Sequence, residues 1–265
     1  MKTIKREQES CSTINDTKNL FEIDYVKLYE KAEKLRVDYE ANTPFPNCFI
    51  DNFFNPTTYK NICDTFPHAE DEIWKTPTNV HTLNKSVTKR GPLGLKEYLF
   101  KESQRRLFME LHSSLFLNFL EKLTGISGLI PDPYFAEGSY AMSKSGGILN
   151  IHADFSHHDE LNLERRLNIL IYLNDDWKNE YEGALNFYDQ NLVLVKKLYP
   201  IGNRIAIFTT SEHSFHGFPE TITCPEDMVR KSINLYYYTL PRDERERKKI
   251  LFPTDPNFTQ TVTKD

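Results

Sequence analysis

Cysteine is scarce in this 265-residue chain: Cys11, Cys48, Cys63 and Cys224 lie far apart, and no two form a CxxC pair. That excludes a disulfide framework and a cysteine-based zinc site, and reads as a set of reduced thiols. Long hydrophobic runs are missing too. No uninterrupted apolar stretch approaches the roughly 20 residues that cross a bilayer, and Met1 to Ser10 is charged and lacks the apolar centre of a secretory signal. The expectation is a cytoplasmic protein with no membrane attachment. Nor does one sign of charge dominate. A net charge of −5 and a pI near 5.9 set up no field that would gather nucleic acid or anionic lipid. Internal repeats and low-complexity tracts are absent as well, so function has to reside in a site, and the oligomeric state is not legible.

What is present is an ordinary folded composition, 39% hydrophobic and 27% charged, in a chain long enough to bury a substantial core. One catalytic domain over residues 21–240 is expected, preceded by a flexible leader at 1–20 and followed by a charged extension at 241–265. Tyr25, Leu28, Tyr29, Ala32, Leu35 and Tyr39 recur at threes and fours, which predicts an amphipathic helix. Pro44 and Pro46 end it. A short strand at 48–54 precedes a helix that Asn55 and Pro56 open. Residues 73–94 have no period and read as a long loop. The apolar stripe of Leu99, Phe100, Leu107, Phe108, Leu111, Leu115 and Phe119 marks helix over 95–123, as one piece or two.

Beyond Gly125 the pattern changes to short β-rich runs at 139–142, 148–155, 167–173, 184–188, 192–197, 204–209, 213–218 and 233–239. Helices followed by closely spaced strands predict an α+β domain whose strands form a sandwich or barrel.

A histidine two residues before a carboxylate occurs four times: His68/Glu70, His152/Asp154, His157/Asp159 and His158/Glu160. Context separates them. Residues two apart on a strand share a face, so His152 and Asp154 converge if the segment after Gly146 and Gly147 is extended. His68 follows a helix end, and the other pairs fall in a polar connection expected at the surface. Two histidines and a carboxylate make a facial set that leaves positions open on non-haem iron. For the third ligand, His213 and His216 lie three apart, so at most one points inward. His216 is preferred, because it lies within the apolar Phe215 to Phe218 segment.

Arg230 opens the last strand, with Ser232 on the same face. A planar guanidinium grips a carboxylate through parallel hydrogen bonds, and a neighbouring hydroxyl adds another. Taken together, these residues resemble the prolyl-4-hydroxylase-like group of iron(II)/2-oxoglutarate-dependent dioxygenases. His152-Ala153-Asp154 resembles that family's HxD and His216 its distal histidine. Arg165 to Trp177, followed by Glu182 and Gly183, resembles its strand and glycine turn, and Arg230-Lys231-Ser232 its cosubstrate-binding RxS.

The resemblance implies a double-stranded β-helix, or jelly roll, of about residues 137–240 with flanking N-terminal helices. It implies Fe(2+) on His152, Asp154 and His216, 2-oxoglutarate as cosubstrate held by Arg230 and Ser232, and O2. Tyr172 adds a phenolic hydrogen bond in some relatives, and is equally well explained as a core aromatic. Two departures stand out: Glu182 replaces the first glycine of the turn, and Met142 occupies a place where some relatives carry a cosubstrate-binding tyrosine. The activity implied is hydroxylation of an unactivated C–H bond in an amino acid, a peptide or protein side chain, or another small metabolite, with release of succinate and CO2. A cupin-type metal protein, acting as isomerase or ligand-binding module, is the alternative.

Overall fold

The computed structural model describes residues 23–74, 88–91, 97–135, 138–158 and 160–242. The expected leader, most of the 73–94 loop and the tail from 243 onward lie outside the described residues.

Among the described residues four helices precede the main β region: α1 (Tyr25–Ala41), α2 (Pro56–Asp64), α3 (Glu102–Leu111) and α4 (Ser114–Thr124). The Asn55 side chain accepts the Thr58 N–H at 2.9 Å and Pro56 fills the first turn, so α2 starts where its sequence predicts. The 95–123 stretch is two helices and a short 3₁₀ turn. Ser113 divides the pair because its hydroxyl accepts the Phe116 N–H at 3.3 Å and caps α4, whose other end closes on left-handed Gly125.

The strands are β1 (Asn47–Ile50), β2 (Thr88–Gly91), β3 (Ile130–Pro131), β4 (Ser139–Ser143), β5 (Leu149–His152), β6 (His157–His158), β7 (Leu163–Tyr172), β8 (Leu185–Tyr188), β9 (Leu194–Leu198), β10 (Arg204–Thr209), β11 (His216–Phe218) and β12 (Arg230–Thr239). They form two antiparallel sheets. The larger runs β1-β10-β7-β12-β4-β2, with β3 on β12 and β6 on β7; the smaller runs β5-β11-β8-β9. This is the expected two-sheet jelly roll, open at its edges rather than closed.

β7 shows why a site fits inside. Leu167, Ile169 and Ile171 point to the helices and join Leu111, Phe116, Ile207 and Ile233 in the main core. Each such side chain, fully buried, contributes roughly 1.5–3 kcal/mol. The alternate residues Asn168, Leu170 and Tyr172 face the smaller sheet, where Tyr172 packs with Leu185, Phe187 and Phe208. One face of the large sheet therefore makes the core, and the other lines the space between the sheets.

Two expectations need correction. The strand predicted over 148–155 stops at His152, and the one predicted over 213–218 begins only at His216. The connection expected to be polar surface contains β6, and there His157 is buried against Glu164 of β7.

Candidate metal centre

β5 and β11 pair so that His152 lies directly opposite His216, with ring centroids 4.5 Å apart. Asp154 lies two residues past the end of β5 and still turns toward both rings. The Nε2 atom of His152 is 3.4 Å from Asp154 Oδ1, and that of His216 is 3.5 Å from Oδ2. One ligand atom from each of the three lies within 4.8 Å of the others. Metal bonds of about 2.0–2.2 Å set at right angles put neighbouring donors about 3 Å apart, so a cation fits with small adjustments.

The backbone selects which nitrogen faces the centre. His152 Nδ1 is 2.8 Å from the carbonyl of Asn150, and His216 Nδ1 is 2.8 Å from that of Ser214. A carbonyl only accepts, so in each neutral ring the proton sits on Nδ1 and the Nε2 lone pair is left for a metal. Gly217 allows this close pairing: a Cβ there would come within 2.7 Å of the Leu149 carbonyl oxygen and 2.8 Å of that of Asn150.

Burial raises the Asp154 carboxyl, but the Arg165 guanidinium, then His216 and His152, outweigh it and hold the group well below the usual carboxylate range. Burial and the neighbouring His152 bring His216 down to about 4. At neutral pH the cluster is therefore one carboxylate and neutral imidazole at His216, a donor set suited to iron(II) and related divalent ions. His68/Glu70 and His158/Glu160 make no comparable cluster among the described residues, and Asp159 of the remaining pair lies outside them. His68 and Glu70 are exposed, and His213 is exposed and pairs with Glu212 at 3.1 Å.

Arg230 is also deeply buried. Its Nε donates to the Gly183 carbonyl at 2.7 Å, its Nη2 reaches the Tyr172 hydroxyl at 3.4 Å, and its plane lies 4.6 Å from the Phe218 ring. No carboxylate pairs with it among the described residues. A buried cation without an internal counter-charge fits an anionic ligand, and Phe218 lies two residues beyond His216, which puts that ligand beside the three donors.

Residues 138–238 match the profile of the 2OG-Fe(II) oxygenase superfamily. The chain is 29% identical over 133 residues to prolyl 3-hydroxylase OGFOD1 of Mus musculus, covering 48% of this chain and 23% of the relative. It thus spans about a quarter of the length of that curated protein. Its fold is shared with a prolyl hydroxylase from Trichoplax adhaerens, solved with a hypoxia inducible factor oxygen degradation domain peptide (TM-score 0.58, 18% identity, 84% of this chain and 94% of that one). HygX from Streptomyces hygroscopicus, solved with nickel, 2-oxoglutarate and hygromycin B, matches at TM-score 0.50 and 12% identity over 81% of this chain and 94% of that one.

Within the chain the remaining expectations sort out by register. Tyr172 has its ring in the core and its hydroxyl 3.4 Å from Arg230 Nη2. Ser232 is fully buried, but its hydroxyl donates to Asn234 at 2.9 Å. Met142 pairs with Lys231 and packs in the main core, so it does not face the pocket. On β4 the residue opposite Arg230, and hence on its side of the sheet, is Ser143. Glu182 adopts φ 56°, ψ −148°, backbone that glycine favours; Lys197 pairs with its carboxylate at 2.6 Å and Trp177 donates to its carbonyl at 3.1 Å.

Two residues at this centre carried no role in the sequence reading. Arg165 Nη2 donates to Asp154 Oδ2 at 3.0 Å, and Asn168 Nδ2 donates to the same oxygen.

Proposed function

We propose that this protein is an iron(II)- and 2-oxoglutarate-dependent hydroxylase, with His152, Asp154 and His216 as metal ligands and Arg230, aided by Tyr172, as the grip on the far carboxylate of 2-oxoglutarate. Ser232, on the same face, completes the wall of that slot. The observation that carries the reading is the pairing of two centres: three converging donors with their lone pairs exposed, and a buried arginine lacking an acidic partner beside them.

Bound iron(II) supplies the activation of O2 that couples decarboxylation of 2-oxoglutarate to succinate with hydroxylation of a substrate C–H bond. The chain's own residues prepare for this. The carbonyls of Asn150 and Ser214 fix both imidazoles, and the Phe208 ring, 4.8 Å from His216, together with Phe187 and Phe218, keeps water from the inner wall. Arg230 needs no rearrangement to meet a carboxylate, since its Nε is already fixed on Gly183.

A peptidyl side chain or a small molecule is the substrate class. The fold is one used by a prolyl hydroxylase solved with a peptide, which supports that class. Among the described residues no helix is long and apolar enough to cross a membrane. A cupin-type isomerase has no need of a buried, internally unpaired arginine, and Arg230 therefore favours the oxygenase reading. The test is to incubate the iron-loaded protein with 2-oxoglutarate, O2 and a panel of amino acids and peptides. Succinate release that needs both iron and O2, with a product heavier by an oxygen atom, is expected; 2-oxoglutarate left intact under every condition would overturn the reading.

A further inference from the structure

Asp154 is gripped from the side by a built arrangement. Arg165 is 1% exposed, and its guanidinium lies 3.5 Å from the centre of the Tyr236 ring and 4.7 Å from that of Phe155. Packed against these aromatics, it directs Nη2 to Asp154 Oδ2 at 3.0 Å and Nε to Asn168 Oδ1 at 2.9 Å. Thr210 donates to the same Asn168 oxygen at 3.3 Å. With its oxygen occupied by these donors, the Asn168 amide can only turn its NH2 the other way, onto Asp154 Oδ2.

We infer that Arg165 and Asn168 are positioning residues that occupy one oxygen of Asp154 and so commit this ligand to binding metal through the other oxygen alone. The inference rests on the reading of Asp154 as a metal ligand.

The geometry makes such a device necessary. Each carboxylate oxygen already lies near a histidine Nε2, Oδ1 at 3.4 Å and Oδ2 at 3.5 Å, so without a restraint the carboxylate is placed to bind through both. On an octahedral ion a one-oxygen ligand leaves three positions open, enough for a chelating 2-oxoglutarate and one further ligand. A two-oxygen ligand removes one of them and competes with the cosubstrate. Donors on Oδ2 draw its lone pairs away from the metal, and planar Arg165, donating at once to Asp154 and to Asn168, holds that arrangement with little freedom to yield.

The local chain path serves the same end. Arg165 N–H donates to the Ser156 carbonyl at 2.8 Å, and β6 pairs with the start of β7, so the segment leaving Asp154 folds straight back to deliver its clamp.

The experiment uses cobalt(II) as the probe, in the full chain. Its visible absorption distinguishes six-coordinate from lower-coordinate ions, and titration gives the affinities for cobalt and then for 2-oxoglutarate. Wild type is compared with Asn168→Ala, Arg165→Lys, Arg165→Met and Asp154→Ala. Expected is a cobalt affinity weakened about 10- to 100-fold in Asn168→Ala and in Arg165→Met, with Arg165→Lys recovering part of it. Expected too is a changed cobalt spectrum and weaker 2-oxoglutarate binding in the clamp variants, although Arg230 is untouched. If Arg165→Met fails to fold, Asn168→Ala and Arg165→Lys decide the matter. Folded clamp variants that match wild type in affinity and spectrum, while Asp154→Ala loses cobalt, overturn the clamp alone. Asp154→Ala that binds cobalt as wild type does overturns the ligand assignment and the clamp with it.

Discussion

Arg165, beside the proposed metal ligands, and Arg230, in the proposed cosubstrate slot, are both buried, and they are supported in opposite ways. Arg165 meets Asp154 inside the protein and packs against two aromatics; Arg230 meets a carbonyl, a phenol and aromatic rings, but no carboxylate among the described residues. A buried charge needs a counter-charge from somewhere. Arg165 has one from the chain itself, and Arg230 is left to receive one from a ligand.

The contrast breaks most readily on stability. In the metal-free protein Arg165→Met leaves Asp154 without its main counter-charge, and unfolding experiments are expected to show a loss of about 3–5 kcal/mol. Arg230→Met removes a cation that lacks an acidic partner, so its cost is expected to stay within about 1 kcal/mol. Equal losses in the two variants would erase the distinction. For 2-oxoglutarate the order reverses in origin: Arg230→Met is expected to raise its Kd about 10- to 100-fold by removing the charge-assisted hydrogen bonds to its carboxylate. Arg230→Lys restores a part of that affinity, since a lysine offers charge without the planar fork.

Tyr172→Phe sharpens the same end at smaller scale. The phenol lies 3.4 Å from Arg230 Nη2 while its ring fills the core, so the variant keeps its packing. A rise in the Kd for 2-oxoglutarate of a few-fold is expected, on the scale of a single hydrogen bond. An unchanged Kd would make Tyr172 a core residue only.

The smallest expected effect lies outside both ends. Burial lowers His112 from 6.5 to about 4, and its ring stacks on Phe135 at 4.8 Å. Between these pH values the unfolded chain binds the proton and the folded one does not. The stability tied to His112 is therefore complete above about pH 6.5 and drains away as the pH falls toward about 4. His112→Phe keeps the stack and is expected to flatten that part of the thermal-melting profile; a profile as steep as wild type would exclude His112 as its source.

Much of the site was legible because it follows strand periodicity. His152 and His216 could be chosen, since the first sits in an extended apolar segment and the second lies inside one, and β5 and β11 then place them opposite each other. Arg230 was readable from its place at the head of β12. Asn168 left a usable signal that went unread: it falls in phase with Leu170 and Tyr172, a polar residue in a strand buried on both faces. Arg165 left none, because the register shift between Tyr237 and Tyr238 changes the facing of β7 just where Arg165 pairs, so alternation counted from Tyr172 does not reach it. β6 was missed for a related reason. Two residues cannot show a period, and His157 was therefore expected at the surface.

The most direct test of the account is calorimetric titration of 2-oxoglutarate into the wild-type protein with and without a divalent metal, repeated in Asp154→Ala and Arg230→Met. The account predicts firm binding only when the metal, the Asp154 carboxylate and the Arg230 guanidinium are all present. Binding of equal strength without metal, or in either variant, would contradict it.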